Sequence, residues 1–281
     1  MPDSPVPTDG PWADRREVGQ AETVAANRAW WDAEAADYHA EHGDFLGDAD
    51  FVWGPEGWTE EELDLLGLCD NSHDSMRVLE IGGGAGQCAR WIRRTQPRVE
   101  IVSTDLSGGM VSVGREINER HGIPLPLAQC DAVRLPFADQ AFDVVFTAYG
   151  AVPFVADSAG LMREVCRVLR PGGRFVFSTT HPIRWAFPDV PGPEGLTATM
   201  SYFDRTPYAE GAGGAVVTYA EHHRTIGDRV RELVAAGFRI LDVAEPEWPD
   251  RNAQEWGGWS PLRGRVLPGT AIFVAERHLE L

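Results

Sequence analysis

One stretch narrows the fold of this chain more than any other: Val78-Leu79-Glu80-Ile81-Gly82-Gly83-Gly84-Ala85-Gly86-Gln87-Cys88-Ala89-Arg90-Trp91-Ile92. It opens as a short apolar run, the pattern of a buried parallel strand. Glycines stand at 82, 83, 84 and 86, and an amphipathic segment follows, with Cys88, Trp91 and Ile92 on one side and Arg90, Arg93 and Arg94 on the other. Strand, tight glycine turn and helix in that order bring backbone close to a bound molecule, because a glycine has no side chain in the way. A dinucleotide fingerprint, G-x-G-x-x-G/A, fails when counted from Gly82, where Gln87 takes the last place, and fits when counted from Gly84 to Ala89. The fuller pattern is E-x-G-x-G-x-G, with Glu80 two residues before the first glycine.

The rest of the chain repeats this rhythm. Strands are expected at 100–105, 126–131, 142–147 and 174–179, with helices at 107–121 and 159–169 between them. Pro171-Gly172-Gly173 stops the second of these helices. A helix at 228–237 and strands at 238–243 and 270–276 complete the series. Alternating strands and helices predict a doubly wound α/β fold, and its ligands bind at the carboxyl ends of the strands.

Two regions stand outside the repeat. Residues 1–22, rich in Pro, Asp and Gly, read as a disordered tail. Residues 23–75 read as a helical cap, with an alanine-rich helix around 27–39, an aromatic turn at 51–58, and a second helix for which Thr59 and Glu62 form a capping box. The main domain then spans 76–281, interrupted by a long insertion at 181–225 whose Trp185, Phe187, Tyr202, Phe203 and Tyr208 suggest an ordered lid.

A net charge of −18, from 43 acidic and 25 basic residues, lacks the basic footprint of a nucleic-acid binder and suits neither nucleic acid nor an anionic membrane as partner. Cys69, Cys88, Cys130 and Cys166 form no C-x-x-C pair, so no metal is expected and buried thiols in a reducing cytoplasm are the simple account. The amino terminus has no signal-peptide pattern, and no apolar run is long enough to span a bilayer.

Downstream of the glycines, Asp105-Leu106, Asp131-Ala132, Leu135-Pro136-Phe137 and Arg167-Val168-Leu169-Arg170-Pro171-Gly172-Gly173 follow in order. Over residues 78–180 this series resembles the small-molecule type of class I S-adenosylmethionine (SAM) dependent methyltransferase. That resemblance implies a Rossmann-like doubly wound seven-stranded sheet, mostly parallel with an antiparallel last strand. It implies that Glu80, Gly82 and Gly84 face the methionine part of SAM, Asp105 and Leu106 the ribose, and Asp131 and Ala132 the adenine. Met110 could lie against the adenine face, Ala148 and Tyr149 near the sulfonium, and Tyr38 over the cofactor from the cap. The Asn-Pro-Pro-Tyr-like motif of nucleic-acid amino methyltransferases is absent, Gly150-Ala151-Val152-Pro153 standing there instead.

The implied activity is methyl transfer to O, N or C of a small metabolite, by a monomer or homodimer. Its alternative is a SAM-binding module without catalysis, and an oxidoreductase is more distant, since it leaves the blocks after Asp105 unexplained. His181, just past the fifth strand, and His223, in the insertion, are the candidate general bases, and each is also a common structural residue.

Overall fold

The computed structural model describes residues 10–68 and 75–279. Its elements run β1 (Trp12–Arg15), α1 (Gln20–Leu46), α2 (Glu60–Leu63), β2 (Met76–Ile81), α3 (Gln87–Thr95), β3 (Val99–Asp105), α4 (Gly108–His121) and β4 (Leu127–Gln129). They continue through β5 (Phe142–Ala148), α5 (Ser158–Val168), β6 (Leu169–Thr180), β7 (Tyr208–Gly211), β8 (Tyr219–Glu221), α6 (Ile226–Ala235), β9 (Phe238–Ala244), α7 (Pro261–Gly264) and β10 (Thr270–Arg277).

Seven strands form the main sheet in the order β4-β3-β2-β5-β6-β10-β9. β2 pairs in parallel with both β3 and β5, so the chain reverses direction across the sheet beside it. The last strand, β10, is antiparallel to β6 and to β9, as expected. The apolar runs bury both faces of each central strand. Leu79, Val145, Phe175 and Phe177 pack with Leu161, Met162 and Val165 of α5. Their neighbours Val78, Val144, Phe146 and Val176 face the other way, onto Cys88, Ala89 and Ile92 of α3.

The aromatic turn before α2 completes that second face. Phe51 stacks on Phe146 at 5.1 Å, and Trp53 packs on Phe51 at 4.8 Å. The capping box forms as its spacing implies: Thr59 Oγ1 accepts from the Glu62 amide at 3.2 Å, and Glu62 Oε2 accepts from the Thr59 amide at 3.0 Å. Glu60 is buried beneath, accepting from Trp53 Nε1 at 2.9 Å and from the Leu66 amide at 2.8 Å.

The amino-terminal expectation needs correction. Residues 12–15 are not tail but β1, paired antiparallel with β7, which pairs in turn with β8 in a separate three-stranded sheet. This sheet buries Ala209 and Ala220 against Val18 and Ala26. The 181–225 insertion is therefore fastened to the amino-terminal segment: Asn27 bonds the Ala220 amide at 2.8 Å and its carbonyl at 2.9 Å, and His222 Nε2 meets Thr23 Oγ1 at 2.9 Å. Of the cysteines, Cys88 is buried, Cys130 and Cys166 are half-buried, and Cys69 lies outside the described residues.

Candidate active site

Between β2 and α3 the backbone enters the left-handed region at Gly82 (φ 63°) and Gly84 (φ 55°), where a side chain would be strained. The two glycines do different work. A β-carbon on Gly82 would stand 2.8 Å from the carbonyl carbon of Gly150, and one on Gly150 would overlap the carbonyl oxygen of Gly82. The loops leaving β2 and β5 thus pack backbone to backbone. A β-carbon on Gly84 would meet no atom within 4 Å.

Asp105, at the end of β3, ties the glycine loop to the next turn. Its Oδ2 accepts from the Gly84 amide at 2.8 Å and its Oδ1 from the Ser107 amide at 2.8 Å. Each carboxylate oxygen can accept about two hydrogen bonds, so capacity remains for hydroxyls of a ligand. Burial pushes the Asp105 carboxyl upward, against the pull of the two amides. Ser107 caps α4, accepting from the Met110 amide at 3.0 Å, and Asp32 of α1 reaches this turn, its Oδ1 accepting from Ser107 Oγ at 2.6 Å and from the Gly109 amide at 2.9 Å.

Glu80 is 2% exposed, and its Oε2 is buried with no hydrogen-bond partner in the protein. Burial raises its carboxyl to about 7, opposed by Ser103 and by the charge of Arg90. A buried acceptor left without a donor costs about 1–3 kcal/mol, a cost that a cationic ligand group would remove.

At the end of β5, Tyr149 sits in the left-handed region at φ 60°, a rare place for a bulky residue. Its amide donates to Ser178 Oγ at 3.1 Å and its Oη lies 2.9 Å from Thr270 Oγ1.

These residues surround one cavity of about 260 Å³ along the carboxyl ends of β2, β3 and β5. Glu80, Gly82, Gly84, Asp105, Leu106, Met110, Asp131, Ala132, Ala148 and Tyr149 all line it, with Tyr38 across from them. The walls also take in residues to which the sequence reading gave no ligand role: Val24, Asn27 and Trp31 of α1, the 52–55 turn, Phe154, and Trp256. The aromatic pairs in the sequence were the available signal for these.

Neither candidate base lines the cavity. His181 is 6% exposed; its Nδ1 accepts from the Ile183 amide at 3.1 Å, and its Nε2 stands 2.8 Å from Glu245 Oε1 but out of line for a hydrogen bond. Burial lowers its basicity, and Glu245 opposes that. His223 is 1% exposed, stacks on Trp185 at 5.2 Å, and places Nε2 2.8 Å from the Tyr202 carbonyl. Burial lowers it to about 4. In these positions both rings brace the insertion rather than face a ligand. The insertion itself contributes no lining residue; it backs α1 through contacts such as Trp30 on Tyr219 at 5.1 Å.

A doubly wound sheet with a glycine loop after its central strand, a carboxylate ending the next strand, and an apolar cavity on the shared edge is the arrangement that the resemblance to class I SAM-dependent methyltransferases implies. Residues 79–177 match the family model of a methyltransferase domain. The chain is 41% identical over 120 residues to a ubiquinone/menaquinone biosynthesis C-methyltransferase of Laribacter hongkongensis, a match covering 42% of this chain and 47% of that protein. It thus spans less than half the length of the curated relatives it matches. A SAM-dependent methyltransferase of Mesorhizobium loti superposes with a TM-score of 0.59 at 25% identity, over 79% of this chain and 100% of that one. A 1,6-didemethyltoxoflavin N1-methyltransferase of Burkholderia thailandensis, solved with S-adenosylhomocysteine (SAH), shares the fold with a TM-score of 0.59 at 17% identity, over 94% and 93% of the two chains. Residues 79–177 of this chain thus match a methyltransferase domain, and the fold is similar to that of SAM-dependent methyltransferases.

Proposed function

We propose that this enzyme transfers the methyl group of SAM to an O, N or C atom of a small, largely apolar acceptor. The observation that carries this reading is the cavity's lining. Among the described residues its charged side chains are Glu80, Asp105 and Asp131, all at the strand ends, while the remaining wall is mainly aromatic and aliphatic. Among the described residues no Arg, Lys or His lines it, so none of those is suited to a phosphorylated or otherwise strongly anionic acceptor.

The residues present fit the cofactor. The unpartnered Oε2 of Glu80 suits the amino group of the methionine part, and the open side of Gly84 leaves room for a ligand against the backbone. Asp105 would hold the ribose hydroxyls with its remaining acceptor capacity, Leu106 and Met110 would flank the nucleoside, and Asp131 with Ala132 would take the adenine. SAM supplies an already electrophilic methyl group, so little acid–base machinery is required of the chain. Trp31, Tyr38 and Phe154 exclude water from the edge, and Ala148 and Tyr149 set the floor on which the acceptor is aligned. The name of the Laribacter relative supports an acceptor with an aromatic or quinol-like ring.

The test is a screen of hydroquinones, phenols, amines and anionic metabolites with methyl-labelled SAM. Label is expected in apolar neutral members. Transfer confined to phosphorylated or carboxylated members would overturn the reading.

A further inference from the structure

Behind the cavity wall lies a polar group that the chemistry so far leaves unused. Glu56 is 2% exposed, and its Oε1 has no hydrogen-bond partner. Its Oε2 accepts from Thr270 Oγ1 at 2.6 Å, and Tyr149 Oη lies 2.9 Å from that same Oγ1. Thr270 has one hydroxyl proton and gives it to the carboxylate, so the phenol of Tyr149 must donate to Thr270. The result is an unbroken donor chain from a residue lining the cavity to a buried carboxylate. Two glycines make room for it. A β-carbon on Gly54 would lie 2.5 Å from Thr270 Oγ1, and one on Gly269 would lie 2.5 Å from Glu56 Oε1. The left-handed backbone of Tyr149 is strain of the kind that gathers at functional sites.

We infer that Tyr149, Thr270 and Glu56 form a proton relay for the acceptor, so that the acceptor is a protic nucleophile such as a phenol or hydroquinone. This rests on the methyltransferase reading above. The acceptor's X–H proton passes to Tyr149 Oη, the phenolic proton to Thr270 Oγ1, and the hydroxyl proton to Glu56 Oε2. The X–H electron pair stays on X and forms the new bond to the methyl carbon, while the pair of the broken carbon–sulfur bond goes to sulfur. Tyr149 and Thr270 end neutral, and Glu56 ends as a carboxylic acid. Tyr149 is the catalytic residue; Thr270 and Glu56 act through it. Burial raises the Glu56 carboxyl and so favours its taking a proton, against the charge of Arg184, the cation that faces both Glu56 and Tyr149.

The test uses the full chain saturated with SAH and 4-nitrophenol as probe, whose absorbance reports its ionisation. The wild type is expected to bind the probe and shift it toward phenolate. Glu56→Gln and Thr270→Val should abolish that shift while leaving SAH affinity within about 2-fold, and Thr270→Ser should restore it. With the most active member of the acceptor screen, Glu56→Gln and Tyr149→Phe should lower kcat by roughly 10²- to 10⁴-fold, and the acid limb of the pH–rate profile should disappear in Glu56→Gln. An unshifted or unbound probe in the wild type, or wild-type behaviour of Glu56→Gln, would overturn the relay and leave the methyltransferase reading standing. Failure of the wild type to bind SAH would overturn that reading itself.

Discussion

The amide of Gly84 donates to Oδ2 of Asp105 at 2.8 Å, joining the loop after β2 to the end of β3. The carboxylate therefore shapes the cradle it also faces. Asp105→Ala should remove the proposed ribose contact and unfasten the glycine turn together, whereas substitutions at the glycines separate the loop's packing from its cavity-facing side.

Gly150→Ala and Gly84→Ala should fail in opposite ways. The first drives a methyl group into the Gly82 carbonyl and should cost about 1–3 kcal/mol of stability, the range for overpacking. The second meets no atom and should cost only about 1–2 kcal/mol of backbone strain, yet it fills the space beside the ligand. Thermal melts paired with SAH titrations check this: Gly150→Ala should show the larger fall in Tm, and Gly84→Ala the larger loss of affinity relative to its fall in Tm. The reverse ranking would mean that the Gly82–Gly150 contact is slack.

If Glu80 holds the cofactor as proposed, SAM binding should be pH-dependent. Its carboxyl is raised to about 7 by burial, with Ser103 and Arg90 opposing and Asp105 reinforcing. A bound ammonium group requires the ionised form, so SAM affinity should weaken as pH falls below about 7, and binding at pH 6 should release a proton. Calorimetry in buffers of different ionisation enthalpy measures that proton directly. Glu80→Gln should bind more weakly and without proton release. Proton release unchanged in Glu80→Gln would remove Glu80 from this role.

The buried histidines should make the fold sensitive to acid. His222 and His223 are both lowered to about 4 by burial. Because their folded values are depressed below the ordinary value of 6.5, their stability contribution is full above that value. It is lost as pH falls from there through 4. Each can contribute a slope of up to about 1.4 kcal/mol per pH unit. Urea titrations between pH 7 and 4 should show the decline, and the His222→Gln/His223→Gln double variant should flatten it. An equally steep decline in that variant would assign acid unfolding to other groups.

The sequence made the sheet legible because its signals are local. The glycine turn, Ser107 as helix cap, and the apolar runs of β2, β5 and β10 each declare themselves within a few residues. Asp105 was legible for the same reason, since a carboxylate ending the strand after a glycine loop has a fixed place in the fold. What was hidden depends on distant partners. Trp12–Arg15 reads as tail until Tyr208–Gly211 is brought beside it. His181 and His223 have the chemistry of bases, but both are buried beside partners far along the chain: Glu245 stands against His181, and Tyr202 and Trp185 hold His223. Glu56 looks like a loop acid until Thr270 closes over it.

The measurement that bears most directly on the whole is SAM titration calorimetry of the wild type beside Asp105→Ala. Hydrogen bonds to a charged acceptor contribute about 1.5–3 kcal/mol. The expected result is one site per chain in the wild type, with affinity falling roughly 10- to 150-fold in Asp105→Ala while circular dichroism stays native. Equal dissociation constants for the two proteins, or no heat of SAM binding in the wild type, would contradict the assignment of this cavity as the cofactor site.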